Sequence, residues 1–135
     1  MPGAGAAGGI GFGLAAGFGA RLLPGFAFVA EWLGLEARIR ACDLVLGGEG
    51  AIDGGSLSGK GPVALARMAE AAGIPCALFG GRVDPRAREA LARECPGCAP
   101  RAITPDGCDL PTALRETGRN LHTAVKTLLT PSRTP

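Results

Sequence analysis

A chain of 135 residues with 47% apolar but only 4% aromatic side chains and no tyrosine is long enough for one domain, whose core must be built from Ala, Leu, Val and Ile. Its net charge of +2 is spread over interspersed signs, and without a basic stripe interleaved with aromatics no nucleic-acid partner is expected. Gly 23 and Pro 11 touch the edge of low-complexity composition, yet the periodic segments between them argue for a folded chain.

The uncharged stretch Gly3 to Ala20 approaches the length of a membrane span, but eight of its residues are glycine. Each costs a helix interior about 1 kcal/mol relative to alanine, so no membrane contact is expected. Gly3-x-Gly5-x-x-Gly8 has the spacing of a dinucleotide fingerprint without the strand that should precede it. The segment reads as a close-packing helix of small residues. Within it, Gly3 to Gly9 reads as a glycine turn opening a helix N-terminus, where free N–H groups favour an anion; Gly5, Gly8 and Gly9 are candidate phosphate- or substrate-binding positions. Pro24 to Leu33 forms the next predicted helix, stopped by Gly34, and Leu35 to Arg40 a further short turn.

The middle of the chain carries the chemistry. Cys42 to Leu46 (CDLVL) is a predicted strand, Leu46 to Lys60 (LGGEGAIDGGSLSGK) a loop, Pro62 to Ala72 a helix and Cys76 to Phe79 a second strand, which together make a βαβ unit. Ligands of parallel α/β sheets sit outside the carboxyl ends of strands, where this loop falls, and its glycines let N–H groups approach a phosphate. Gly54-x-x-x-x-Gly59-Lys60 matches most of a phosphate-binding loop, except that Gly61 stands where that motif needs Ser or Thr for magnesium. Gly48, Gly50, Ser56, Ser58 and Gly59 are therefore candidate phosphate or substrate contacts, and Lys60 a candidate to neutralise phosphate charge. Glu49 and Asp53 have the two acid roles that phosphoryl transfer uses: holding magnesium, assigned to Asp53, and accepting a proton from an attacking hydroxyl. The competing reading of Asp53 is a cap on the glycine turn.

Asp84-Pro85 is a cap and first-turn pair for a helix to about Arg93. Ala99 to Ile103 is a short predicted strand with Pro100 near its start. From Asp109 to Leu129, Leu110, Leu114, Leu121, Val125 and Leu128 recur at helical spacing on one face. Five cysteines are an odd number, and no secretory signal is legible, so a reducing cytoplasm is the expected compartment. Cys95-Pro-Gly-Cys98 with Cys108 and His122 could be written as a zinc set, but a second close ligand pair is missing. Solvated loop cysteines and a surface His122 are expected instead.

The blocks PGAGAAGGIGFGLAAGFGARLLPGF, DLVLGGEGAID and SLSGKGPVALARMAEAAGIP resemble, in order and spacing, the closing portion of the bacterial type 1 glycerate kinases. The resemblance runs from Pro2 to about Phe79. It implies ATP-dependent phosphorylation of D-glycerate to 2-phosphoglycerate with Mg2+, carried out between two α/β domains. Residues 1–41 would then be a helical part of the cleft, 42–130 an α/β segment and 131–135 a frayed tail. Against the resembled motif TGEG-x-ID, Gly48 is set where a threonine is expected; Gly61 replaces a small apolar residue, and Gly81-Arg82 a glycine-serine. The family's earlier motifs, of the ADGGEGT and GGSATND kind, have no counterpart. The expected fold is thus α/β, three-layered, with a mostly parallel flavodoxin- or Rossmann-like sheet lacking its N-terminal strands. Such a chain is expected to be inactive alone and to need the missing N-terminal segment or a partner chain. The alternatives are a non-catalytic complementing module or a non-functional truncated product.

Overall fold

A computed structural model describes residues 3–59 and 61–130; Lys60 and the tail 131–135 lie outside the described residues. The chain divides into two compact units, Met1–Gly34 and Leu35–Pro135. In the first, a 3-10 turn over Ala6–Gly9 leads into α1 (Ile10–Phe18), and α2 spans Gly25–Trp32. Gly9 caps α1 in the left-handed conformation, Gly19 closes it the same way, and Pro24 is the N-cap of α2.

The second unit starts at Leu35 rather than at residue 42, because the short turn expected over 35–40 is a helix, α3 (Leu35–Arg40), whose Ile39 is buried in the sheet unit's core. The elements then follow as β1 (Val45–Ile52), α4 (Gly54–Leu57), α5 (Gly61–Ala71), β2 (Cys76–Val83), α6 (Pro85–Glu94), β3 (Cys98–Ala102), α7 (Leu110–Arg115) and α8 (Thr117–Leu129). The three strands are parallel in the order β1-β2-β3, with helices on both sides. The α/β class expected from the sequence is therefore the class observed.

The chief correction concerns β1. The strand does not end at Leu46; it takes in Gly47, Gly48, Glu49 and Gly50, read from the sequence as loop, and Cys42–Leu44 lie outside it. Val45 pairs with Cys76, Gly48 with Phe79 and Glu49 with Gly80, so the ladder to β2 continues through the glycines. Absent side chains are the reason: a β-carbon added at Gly48 would stand 2.8 Å from the Phe79 carbonyl oxygen, and one at Gly81 2.6 Å from the Gly50 carbonyl oxygen. These distances also correct the threonine expectation. Counted back from Ile52 and Asp53, the motif sets its threonine at Gly47, where an added β-carbon would meet only the ends of the Leu78 and Leu65 side chains.

Val45 and Ile52 both join the core although they stand seven positions apart along the strand. Regular alternation would send them to opposite faces, so the face slips within the glycine segment. The core they share holds Val63 and Ala66 of α5, Leu78 of β2, and Ala87 and Leu91 of α6. Arg67 on α5 ties that layer together through Glu94 of α6 (2.6 Å) and the Leu57 carbonyl (3.2 Å). The long helix expected over 109–129 is two helices that meet at Glu116 (φ −94, ψ 4). The Thr117 hydroxyl donates back to the Ala113 carbonyl at 2.9 Å, a bond of the kind that bends helices. Among the described residues, no helix is long and apolar enough to cross a membrane.

Candidate functional site

The carboxyl end of β1 delivers the chain to Asp53, and the next residues turn at once into α4. Asp53 is extended (φ −141, ψ −172) and caps that helix. Its Oδ1 accepts from the N–H groups of Gly55 (2.9 Å) and Ser56 (3.4 Å). The Ser56 hydroxyl accepts from the Asp53 N–H (3.2 Å) and donates to the Ala51 carbonyl (3.2 Å). This is a reciprocal capping box. Ser56 is 0% exposed and its hydroxyl is fully engaged, so the structure gives it the work of holding the turn rather than facing a ligand. The two N–H groups that open α4 are already taken by Asp53, which leaves no empty anion cradle there. Asp53→Ala is expected to lower stability by about 1–2 kcal/mol through loss of the cap; urea denaturation checks this, and an unchanged midpoint would refute it.

Ser58 is exposed at the end of α4, its N–H donating to the Gly55 carbonyl (3.3 Å), and Gly59 follows with φ +95. Both precede Lys60, which lies outside the described residues. Glu49, one strand position beyond Gly48, is half-buried; its Oε1 is buried with no hydrogen-bond partner among the described residues. An unpaired buried acceptor costs about 1–3 kcal/mol, and such an atom invites a donor.

The opposite face of the sheet from α5 and α6 is an open groove of about 1190 Å³ between β1, β2 and the α7–α8 pair. Gly48, Glu49 and Gly50 line it together with Leu46, Phe79, Leu121 and Val125. Leu46 is 44% exposed at its wall. The groove also takes in Arg82 at the end of β2, and Thr104 and Asp106 in the loop after β3, none of which sequence reasoning placed in the site. The signal for Arg82 was its position at a strand's carboxyl end; the loop residues carried none. Gly5, Gly8 and Gly9 belong to the first unit. Gly8 and Gly9 are left-handed (φ +71 and +85), as is Ala7 (φ +49), so the expected glycine turn ahead of α1 is present.

Among the described residues, no group of three or more His, Cys, Asp or Glu side chains is placed to hold a metal ion. Magnesium commonly takes one or two protein carboxylates, with phosphate and water completing its shell. Asp53, with Oδ1 committed to the cap, fits as one such ligand and no more.

The cysteines differ from expectation. Cys95 and Cys98 are buried, not solvated, because Cys95 ends α6 against the core and Cys98 opens β3 beside Cys76. The Cys76 and Cys98 thiols hydrogen-bond to each other; this holds the Cys76 pKa below its ordinary value against the opposing effect of burial, and pushes that of Cys98 up, burial adding to the rise. Burial, and then the nearby Cys98, raise the pKa of Cys95. His122 is exposed on α8.

Comparison with known proteins agrees with this arrangement. The model of the glycerate kinase family matches residues 1–131. The chain is 49% identical over 70 residues to the glycerate 2-kinase of Escherichia coli K12, covering 52% of this chain and 18% of that one. It is 40% identical over 81 residues to the glycerate kinase of Halalkalibacterium halodurans, covering 60% and 21%. A crystal structure of a Salmonella typhimurium LT2 protein assigned as glycerate kinase 2 superposes with a TM-score of 0.56 at 33% identity, covering 93% of this chain and 33% of that one. The chain thus spans about a fifth of the length of these curated relatives. On the family match over almost its whole length, the chain belongs to the glycerate kinase family.

Proposed function

We propose that this chain carries part of a glycerate kinase site, serving ATP- and magnesium-dependent phosphorylation of D-glycerate to 2-phosphoglycerate in the cytoplasm, and that it does not turn over alone. The observation that supports this best is the position of the Gly48–Ala51 segment near the carboxyl end of a parallel strand, lining the groove, with Asp53 just past the strand's end; ligands of such sheets bind there. Glu49, with its unpartnered oxygen, is the residue to accept a hydrogen bond or proton from a glycerate hydroxyl. Asp53 contributes one carboxylate toward magnesium, which when bound supplies charge neutralisation at the phosphates. With the α4 amides engaged, Ser58, Gly59 and Lys60 ahead of α5 are the residues to meet phosphate. Gly5, Gly8 and Gly9 contribute a second glycine turn for an anion. Phosphoryl transfer is almost entirely positioning and charge stabilisation by several elements at once. The remaining elements would come from a segment like the rest of the family's chain, in the same polypeptide or a partner.

Coupled ADP release tests this. The chain alone is expected to give background rates with D-glycerate, ATP and Mg2+. Mixing it with the preceding segment of a glycerate kinase relative is expected to restore turnover, and Glu49→Gln to cut that turnover by at least about 100-fold. Turnover by the chain alone, lost in Lys60→Ala, would overturn the dependence on a second segment. Failure of every mixture would overturn the assignment of this site to the reaction.

A further inference from the structure

The glycine-rich site occupies the carboxyl ends of the strands; a different chemistry is gathered at their amino ends. Cys76 opens β2, Cys98 opens β3, and the two are direct register partners on adjacent parallel strands. Both are buried in one core cluster. Neighbouring strands run about 4.8 Å apart, within the roughly 4.4–6.8 Å Cα separation of a disulfide. The backbone around them is pinned: the Cys76 N–H donates to the Gly97 carbonyl, and the Cys98 N–H to the Cys95 carbonyl, each at 2.9 Å. The alternative Cys95–Cys98 pairing would have to form at the carboxyl end of α6, where the helix dipole disfavours a thiolate.

We propose that Cys76 and Cys98 are a peroxide-oxidisable pair whose disulfide staples β2 to β3. This stands apart from the phosphoryl-transfer reading. Cys76, whose thiolate is favoured by the Cys98 thiol beside it, attacks one oxygen of a hydroperoxide. The O–O bond breaks, leaving a sulfenic acid on Cys76 and a hydroxide that leaves as water after taking a proton. The Cys98 sulfur then attacks the Cys76 sulfur; the S–S bond forms and the sulfenic oxygen departs as a second water with the Cys98 proton. Two thiols lose two electrons and hydrogen peroxide is reduced to two waters. Burial sets the pace, because peroxide reaches Cys76 only during local opening.

The test is to treat the reduced chain with hydrogen peroxide, denature it, alkylate with iodoacetamide and weigh it. The expected product takes up two fewer carbamidomethyl groups than the untreated chain, and digestion yields one linked pair of peptides holding Cys76 and Cys98. Dithiothreitol reverses it, and the oxidised form melts about 10 °C higher, as closing a loop of this size predicts. Cys95→Ser keeps the link and Cys98→Ser loses it, leaving a sulfenic acid on Cys76 that dimedone labels. Should the Cys98 variant fail to fold, the peptide map of the natural chain decides alone. Full alkylation after peroxide, a Cys95–Cys98 link, or a disulfide between two chains would each overturn the proposal.

Discussion

Leu78→Ala is expected to lower the unfolding free energy by about 3 kcal/mol and the thermal midpoint by about 10 °C. Leu78 is 0% exposed in the central strand β2 and lies in the cluster with Val63, Leu91 and Ile52. Truncation there removes the transfer energy of the lost methyl and methylene groups and leaves a cavity that rigid strand backbones on either side cannot close. Leu46→Ala is the matching control: the residue is half-exposed on the groove wall, and its loss should cost less than about 1 kcal/mol. Thermal denaturation of the two variants side by side reads the difference. Equal costs would mean that the core does not lie between the sheet and the α5–α6 layer.

A second large effect is expected from a single methyl group on β1. In Gly48→Ala the new β-carbon would meet the Phe79 carbonyl oxygen at 2.8 Å, closer than real contacts allow, and the β1–β2 ladder must part locally to admit it. The expected cost is about 2–3 kcal/mol. Gly50→Ala, two residues along the same strand, meets nothing within 4 Å and should change stability by no more than about 0.5 kcal/mol. Chemical denaturation of both variants makes a sharp comparison, since the substitution and the strand are shared. A neutral Gly48→Ala would show that the strands are not held at this approach.

The parts of this fold that were legible in the sequence are those whose signals are local and carried by side chains. Asp84 accepts from the N–H groups of Arg86 and Ala87, with Pro85 in the first turn, as its dipeptide announces. Asp109 likewise caps α7. The helix α5 follows its apolar period, and the β2 start at Cys76 follows its apolar run. What stayed hidden depended on partners far along the chain. Strand signals ride on side chains, so a glycine-rich strand looks like a loop until the neighbour that approaches it is known; this is why β1 reads in the sequence as ending at Leu46. The burial of Cys95 and Cys98 comes from Cys76 and α5, and the bend at Glu116 comes from a hydroxyl-to-carbonyl bond no periodicity contains. In the candidate site, the sequence singled out one segment, but the division of labour within it needed geometry. Ser56 and one oxygen of Asp53 hold the turn, while Glu49 keeps an oxygen unspent.

Four residues make a helix too short to persist by its own hydrogen bonds, since nucleation costs more than one turn returns. The order of α4 is borrowed from the bonds of Asp53 and Ser56 and from the Ala51 carbonyl that anchors the Ser56 hydroxyl. The segment therefore behaves as a latch with a small number of catches. It can release and re-form while the sheet beneath stays intact, at a free energy far below that of global unfolding. Each release frees, at one stroke, the Asp53 carboxylate and two backbone amides that are mutually occupied when the latch is shut. With the latch shut, the Gly55 and Ser56 N–H groups face Asp53 instead of an outside anion.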